Sequence, residues 1–232
     1  MKKFDIKRIV FVTTLSLLGA ATSGCHGGSK DSGGDAVPEG LDPLEESNMA
    51  DLPAARDGDD YPEELSLVGD EGDEYDWAHG AGYIHASVSD CWSAIQDPEV
   101  VVDRQRVTSW TVETDVEPEY DVSFVLHETS EDIVTVEFDV TWIQGRTAGE
   151  EGAPTAVVGR WAKTGGTELI YLLEGSIELT ELESDVTEIS LMEHLDTPGS
   201  DETDIYPVLQ GLFDSIVARV NGEALPTYET DG

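Results

Sequence analysis

The sequence predicts an α+β fold in which a curved antiparallel β-sheet wraps around one long C-terminal α-helix. Three observations lead there. Val134, Val136, Phe138, Val140 and Trp142 alternate with Thr135, Glu137, Asp139 and Thr141, and a period of two with one wet face marks an antiparallel sheet covered on a single side. Ile205, Leu209, Leu212, Phe213, Ile216, Val217 and Val220 fall on one broad helical stripe. Between a first strand and that helix lie a short helical region and about six further runs of strand character. A sheet with one apolar face and a single amphipathic helix bury each other most economically when the sheet curls around the helix.

The elements follow in order. Residues 82–88 read as a short strand. Ser89 or Asp90 can cap a short helix that Pro98 limits. Trp110 and Val112 alternate with polar neighbours, and over residues 120–128 Tyr120, Val122, Phe124 and Leu126 share a face against Asp121, Ser123 and His127. The regular strand at 134–142 comes next. Residues 157–163 form another, ended by Gly165-Gly166, and residues 168–182 a long one with Tyr171, Leu173, Ile177 and Leu179 in phase. Gly175 in that strand suggests a bend or bulge. Residues 187–195 add Ile189, Leu191 and Leu195. The terminal helix has Asp201, Glu202 and Asp204 at its start, Arg219 at its end and Asn221-Gly222 as a stop, each suited to the helix dipole or cap.

A family resemblance enters with particular residues. Ala86-Ser87-Val88-Ser89-Asp90-Cys91-Trp92-Ser93-Ala94-Ile95-Gln96-Asp97-Pro98 gives a strand end, small residues, a Trp-centred helix and Asp-Pro. Gly175-Ser176, then Thr187-Glu188-Ile189, then the long helix follow. This order resembles the START-like, or SRPBCC, superfamily with its helix-grip fold, and is closest in character to the polyketide cyclase/dehydrase-like branch. The resemblance covers residues 82–222, within a domain set at 79–225. It implies a pocket between sheet and helix for a hydrophobic or aromatic small molecule, walled by the in-phase residues Trp110, Phe124, Phe138, Trp142, Trp161, Tyr171, Leu212 and Phe213. Gly211, Ser215 and Ala218 form a line of small residues beside the helix stripe. The same aromatics could instead simply fill a core.

Catalysis has fewer carriers. Glu128 and Glu193 share parity with apolar residues, so either could serve as an acid or base at a pocket mouth, although carboxylates near strand ends more often face water. His127 and His194 fall on the polar face, where solvated side chains are expected; the phase of His85 is ambiguous, which leaves it open as a third candidate. Cys91 fits buried packing better than nucleophilic work. Arg160 points away from Trp161 and fits a surface ion pair. No catalytic triad spacing, phosphate loop, metal-binding histidine pair or cofactor motif appears, and two cysteines are too few for a disulfide framework or a cysteine zinc site. The sequence offers no clear inward polar cluster, which favours binding over an enzymatic cyclase or lyase role; a filled structural module is the third alternative.

The N-terminus carries a different message. Met1-Lys2-Lys3-Phe4-Asp5-Ile6-Lys7-Arg8 is basic, Ile9 to Leu18 is mostly apolar, and small residues run to Gly24. The apolar run is too short to span a bilayer, so residues 1–24 read as a signal peptide. Thr22-Ser23-Gly24-Cys25 resembles a bacterial lipobox, with Thr22 departing from the usual Leu, and implies acylation of Cys25 and attachment to the lipid bilayer. His26 in place of Asp favours the outer membrane of a Gram-negative cell envelope by analogy. Residues 25–78 are expected to be an acidic disordered tether and residues 226–232 a disordered tail.

Charge bounds the partners. The 232 residues hold 50 Asp and Glu against 12 Lys and Arg, a net charge of -38. Nucleic acid is excluded as an expected partner, because phosphate binding needs clustered cations. Removal of residues 1–24 leaves the mature chain at -41, and residues 82–222 alone carry 29 acidic against 6 basic side chains. The acidity therefore coats the folded part as well as the tether, a pattern that points to adaptation to a saline environment.

Overall fold

The structure, a computed structural model, describes residues 39–45, 49–131 and 134–228. The expected signal peptide with Cys25, the start of the expected acidic tether and residues 229–232 lie outside the described residues. Eight strands form one antiparallel sheet: β1 Leu65–Glu71, β2 Asp76–Ile84, β3 Ser109–Thr114, β4 Val122–Glu131, β5 Thr135–Glu150, β6 Ala153–Gly166, β7 Leu172–Glu183 and β8 Val186–Asp196. Their order is β1-β2-β8-β7-β6-β5-β4-β3. Helices α1 Val88–Ile95 and α2 Pro98–Val101 follow β2, and α3 Glu202–Val220 closes the fold against one face of the sheet. This is the helix-grip arrangement that the order of elements implies.

Each helix has a local reason to start where it does. Ser87 caps α1, its hydroxyl accepting from the Asp90 amide at 3.2 Å, so the helix starts two or three residues earlier than Ser89 or Asp90 as cap would place it. Pro98 does not merely end α1. With Asp97 as cap it opens α2 from the first-turn position where its missing N–H costs nothing. Asp201 and Asp204 form a reciprocal capping box on α3. Ile205, Leu209 and Ile216 of α3 are fully buried and belong to one hydrophobic core with Leu126, Ile177, Leu179, Ile189 and Leu191 from the sheet.

The domain begins earlier than residue 79. β1 and the first residues of β2 fall inside the stretch expected to be a disordered tether. Leu65, Leu67 and Gly69 turn one face of β1 to the core, while Asp70 and Glu71 stay exposed at the strand end. An edge strand needs only those few inward residues, and the surrounding charge conceals so short an alternation. Further upstream, Leu41 is fully buried, Leu44 donates its amide to Ser176 Oγ at 3.1 Å, and Arg160 donates to the Asp42 carbonyl at 2.6 Å. Ser176 and Arg160 alternate with the inward residues Ile177 and Trp161, so residues 39–45 cross the face of the sheet opposite α3. The Ala50 amide bonds His79 Nδ1 at 2.7 Å on that face. At the other end, Tyr228 is half-buried within the stretch expected to be a free tail.

Candidate functional site

The site grows from one cross-strand row. Register aligns Phe124 on β4 with Trp142 on β5, Trp142 with Trp161 on β6, Trp161 with Gly175 on β7, and Gly175 with Glu193 on β8. Phe124 stacks on Trp142 with ring centroids 6.1 Å apart, and Trp142 on Trp161 at 4.6 Å. Gly175 is not a bulge: its pairing is regular on both sides, and the register shifts lie elsewhere, as at Asp139/Val140. Its missing Cβ is the space into which the Trp161 indole lies, and a Cβ there would overlap that ring. The row therefore runs three aromatics, a gap filled by the third, and then a carboxyl.

Below this row lies a cavity of about 340 Å³ between the sheet, α3 and the loop from α2 to β3. Phe138, Val140, Trp142, Trp161 and Leu212 form apolar wall, and Gly211 and Ser215 keep the helix side thin. The size falls within the range of small-molecule pockets, and the composition is of that kind: apolar walls with a few polar groups.

Those polar groups converge. Glu128 on β4 is 7% exposed and Glu193 on β8 is 3% exposed, and both line the cavity. Burial, then the negative charges of Asp103 and Glu193, push Glu128 up to about 8. Burial and Asp103 push Glu193 to about 8 as well, against the opposing pull of Arg106 and a hydrogen bond from the Trp161 side chain. Asp103 is itself raised by burial, opposed by Arg106. Arg106 reaches Asp204 at 3.3 Å and Asp103 at 4.0 Å. Carboxyls that titrate near neutral pH can hold or release a proton in a water-poor space. Among the described residues no group of three or more His, Cys, Asp or Glu side chains is placed to hold a metal ion.

The residues singled out from sequence separate. Phe138, Trp142, Trp161 and Leu212 line the cavity together with Glu128 and Glu193. Phe124 and Phe213 are buried in the core behind it, and Trp110 packs half-buried against that core. Tyr171 is 65% exposed: it precedes β7 instead of lying within it, so the alternation that put it in phase with Leu173 does not apply. His85 lies away from the cavity, its Nε2 2.7 Å from the Tyr61 carbonyl and its amide bonded to Glu63. His127 is exposed beside Asp139 at 2.7 Å. His194 corrects its expectation: it sits on the polar parity yet is buried, stacked on Tyr75 with centroids 4.3 Å apart and with Nδ1 3.2 Å from Glu174. Arg160 is also less exposed than a surface pair, since it donates to the Gly175 carbonyl at 3.1 Å and stands 3.8 Å from Glu174. Cys91 is fully buried, and burial pushes its thiol to about 12.

An inward polar cluster does exist, contrary to the sequence reading. Its loop members Asp103, Arg104 and Arg106 were missed because they occupy no periodic element. One signal was available: Arg104 and Arg106 are two of only six basic residues between 82 and 222.

No family model matches the chain, and no curated protein matches it. Among solved structures it is similar to the human StarD13 lipid transfer and protein localization domain, at 10% identity and a TM-score of 0.48 over 70% of this chain and 85% of that one. It is also similar to the Zhui aromatase/cyclase from Streptomyces sp. R1128, at 11% identity and a TM-score of 0.39 over 68% and 93%. A START superfamily protein from Mycobacterium smegmatis shows 10% identity and a TM-score of 0.42 over 63% and 94%.

Proposed function

We propose that the chain is a ligand-binding lipoprotein whose domain holds a hydrophobic or aromatic small molecule between the sheet and α3. The observation that carries this reading is the cavity of about 340 Å³, walled by Trp142, Trp161 and Phe138 yet left unfilled by them. Aromatic rings supply large apolar area with little side-chain entropy to lose, which suits a site for flat or chain-like apolar molecules. The test is native mass spectrometry of the full chain expressed in cells, followed by a thermal-shift screen of fatty acids, apolar amines and flat aromatics. A ligand at a hundred times its dissociation constant stabilises by about 2.7 kcal/mol, enough to move the midpoint by several degrees. Absence of any retained mass and of any stabilisation rejects the reading.

Anchoring belongs to the same proposal. Acylation at Cys25 would hold the domain at the cell envelope, with the outer membrane favoured by His26, and more than one acyl chain would make the attachment stable. Mass spectrometry of the mature N-terminus should find a chain beginning at Cys25 with added acyl mass. An unmodified Cys25, or a Cys25→Ala variant that stays in the membrane fraction, rejects the anchor.

A second reading has its own observation. Glu128 and Glu193, both near 8, suit acid–base chemistry of a cyclase or lyase type. It requires a turnover that Glu128→Gln and Glu193→Gln each reduce by about a hundredfold or more. Turnover untouched by both substitutions removes it.

A further inference from the structure

We infer that the cavity selects an apolar amine, with the ammonium head held between Glu128 and Glu193. The inference rests on the binding reading above and names the class of molecule. No hydrogen bond or ion pair within the described residues engages the Glu128 carboxyl, although it is 93% buried and lines the cavity. Its oxygens open onto the cavity and not onto a protein partner, so a group on a bound molecule is what would meet them, and an apolar space satisfies such a carboxyl poorly. Of the two cations in the lining, Arg106 is engaged with Asp103 and Asp204, and Arg104 makes no ion pair with Glu128. Glu193, 3% exposed and hydrogen-bonded by the Trp161 side chain, lines the same cavity, so two carboxyls share one largely apolar space.

Three head groups can be weighed against this geometry. A carboxylate forms no ion pair with Glu128 or Glu193, and ionisation of either one beside it would set like charges together in a low-dielectric space, where they repel strongly. An alcohol offers one neutral donor to two acceptors. An ammonium offers three donors, and hydrogen bonds between ions are roughly twice as strong as neutral ones. The wider field agrees, since 29 acidic against 6 basic residues in 82–222 draw cations toward the domain. Arg104 is the group that pulls the other way: its Nη2 is buried without a hydrogen-bond partner and the residue lines the same cavity. It would donate to a carbonyl or hydroxyl oxygen on the body of the ligand, and it is where a carboxylate ligand would bind. The ionisable groups facing the pair are Asp103, Arg104 and Arg106 from the α2–β3 loop, Asp204 from α3 and Tyr228 from the C-terminal segment.

The experiment is calorimetric titration of the full chain with 4-phenylbutylamine, 4-phenylbutanol and 4-phenylbutyrate, which share one skeleton. The amine should bind at least tenfold more tightly than the alcohol, and the carboxylate most weakly. At pH 7, titrations in buffers of different ionisation enthalpy should show proton release when the amine binds and none with the alcohol. The Glu128→Gln/Glu193→Gln double variant should bring the amine down to the affinity of the alcohol and abolish the proton release. Equal or tighter binding of the alcohol or carboxylate overturns the inference while leaving the binding reading intact, as does a preference that survives the double substitution. Failure of any of a broad panel to bind removes the binding reading itself, and this inference with it. Should the double variant not fold, the head-group ranking and proton release of the unaltered chain still decide.

Discussion

Glu128 and Glu193 stand near 8 because each loses water on folding and each feels other carboxyls, Asp103 above all. An acid whose pKa is higher folded than unfolded binds its proton more tightly in the folded state. Its contribution is fully present below the ordinary value of 4.5 and is lost as pH rises through about 8. His79 works in the opposite sense at lower pH, because burial holds it down to about 4, so it favours folding increasingly as pH rises from 4 to 6.5. The window from pH 6.5 to 8 therefore belongs to the carboxyls. Stability should fall there by up to about 1.4 kcal/mol per pH unit for each group. Glu128→Gln should flatten the fall and raise the midpoint at pH 8, since an amide removes the buried charge and keeps the shape. Melting curves at half-unit steps check this, and a wild-type profile level from 6.5 to 8 would contradict the burial of the pair. Gly175 makes a second claim at this scale. Gly175→Ala drives a methyl into the Trp161 indole, so the denaturation midpoint should drop by the equivalent of about 1–3 kcal/mol with a shift in tryptophan emission.

Residues 39–45 show how much an element can hide. Their sequence, acidic and rich in Gly and Pro, reads as linker, yet Leu41 is fully buried and Ser176 and Arg160 bind their backbone. A segment that lies across a sheet without joining it has no period to reveal it. The pairing information is in the sheet: Ser176 is polar, buried and central, and it needs a partner that the strands do not supply. Leu41→Ala should cost about 2–5 kcal/mol, measured as a lower denaturant midpoint, whereas a free tether would show no change. By contrast, the six strands after α1 and the helix α3 were legible, because each has a wet face and a dry one. β5 starts at Thr135 and runs past the predicted end at Trp142 to Glu150, through the buried polar Gln144 and into exposed residues 148–150, where no apolar alternation marks it. The same reasoning divides the site. Phe138, Trp142, Trp161, Glu128 and Glu193 were readable from parity. Asp103 and Arg104 were not, because a loop residue points where tertiary structure sends it.

At the scale of the molecule the net charge of -38 has to be reconciled with a folded domain. The described ion pairs are few beside that excess. They include Arg56 with Glu64, Arg106 with Asp204 and Arg219 with Asp97, most of them on the surface, where such pairs contribute little. Most acidic side chains therefore face one another across water. Mutual repulsion of this kind weakens a compact state, and salt relieves it, since the screening length shrinks from about 10 Å at 0.1 M to about 3 Å at 1 M. If the acidity is an adaptation to a saline environment, the folded domain gains stability from the first increments of salt onward. The melting temperature should rise steadily between 0.1 M and 2 M sodium chloride, and it should rise in potassium chloride by a similar amount, because screening does not distinguish the two ions. Part of any rise in molar salt comes from strengthened burial of apolar surface. A variant with several exposed acidic residues of β5 and β7 changed to Gln or Lys, away from the cavity, separates the two effects: it should melt higher in low salt and lose most of the salt dependence. A melting temperature that is flat or falling with salt, or a slope unchanged in that variant, would leave the surface charge without a stabilising role for salt to play.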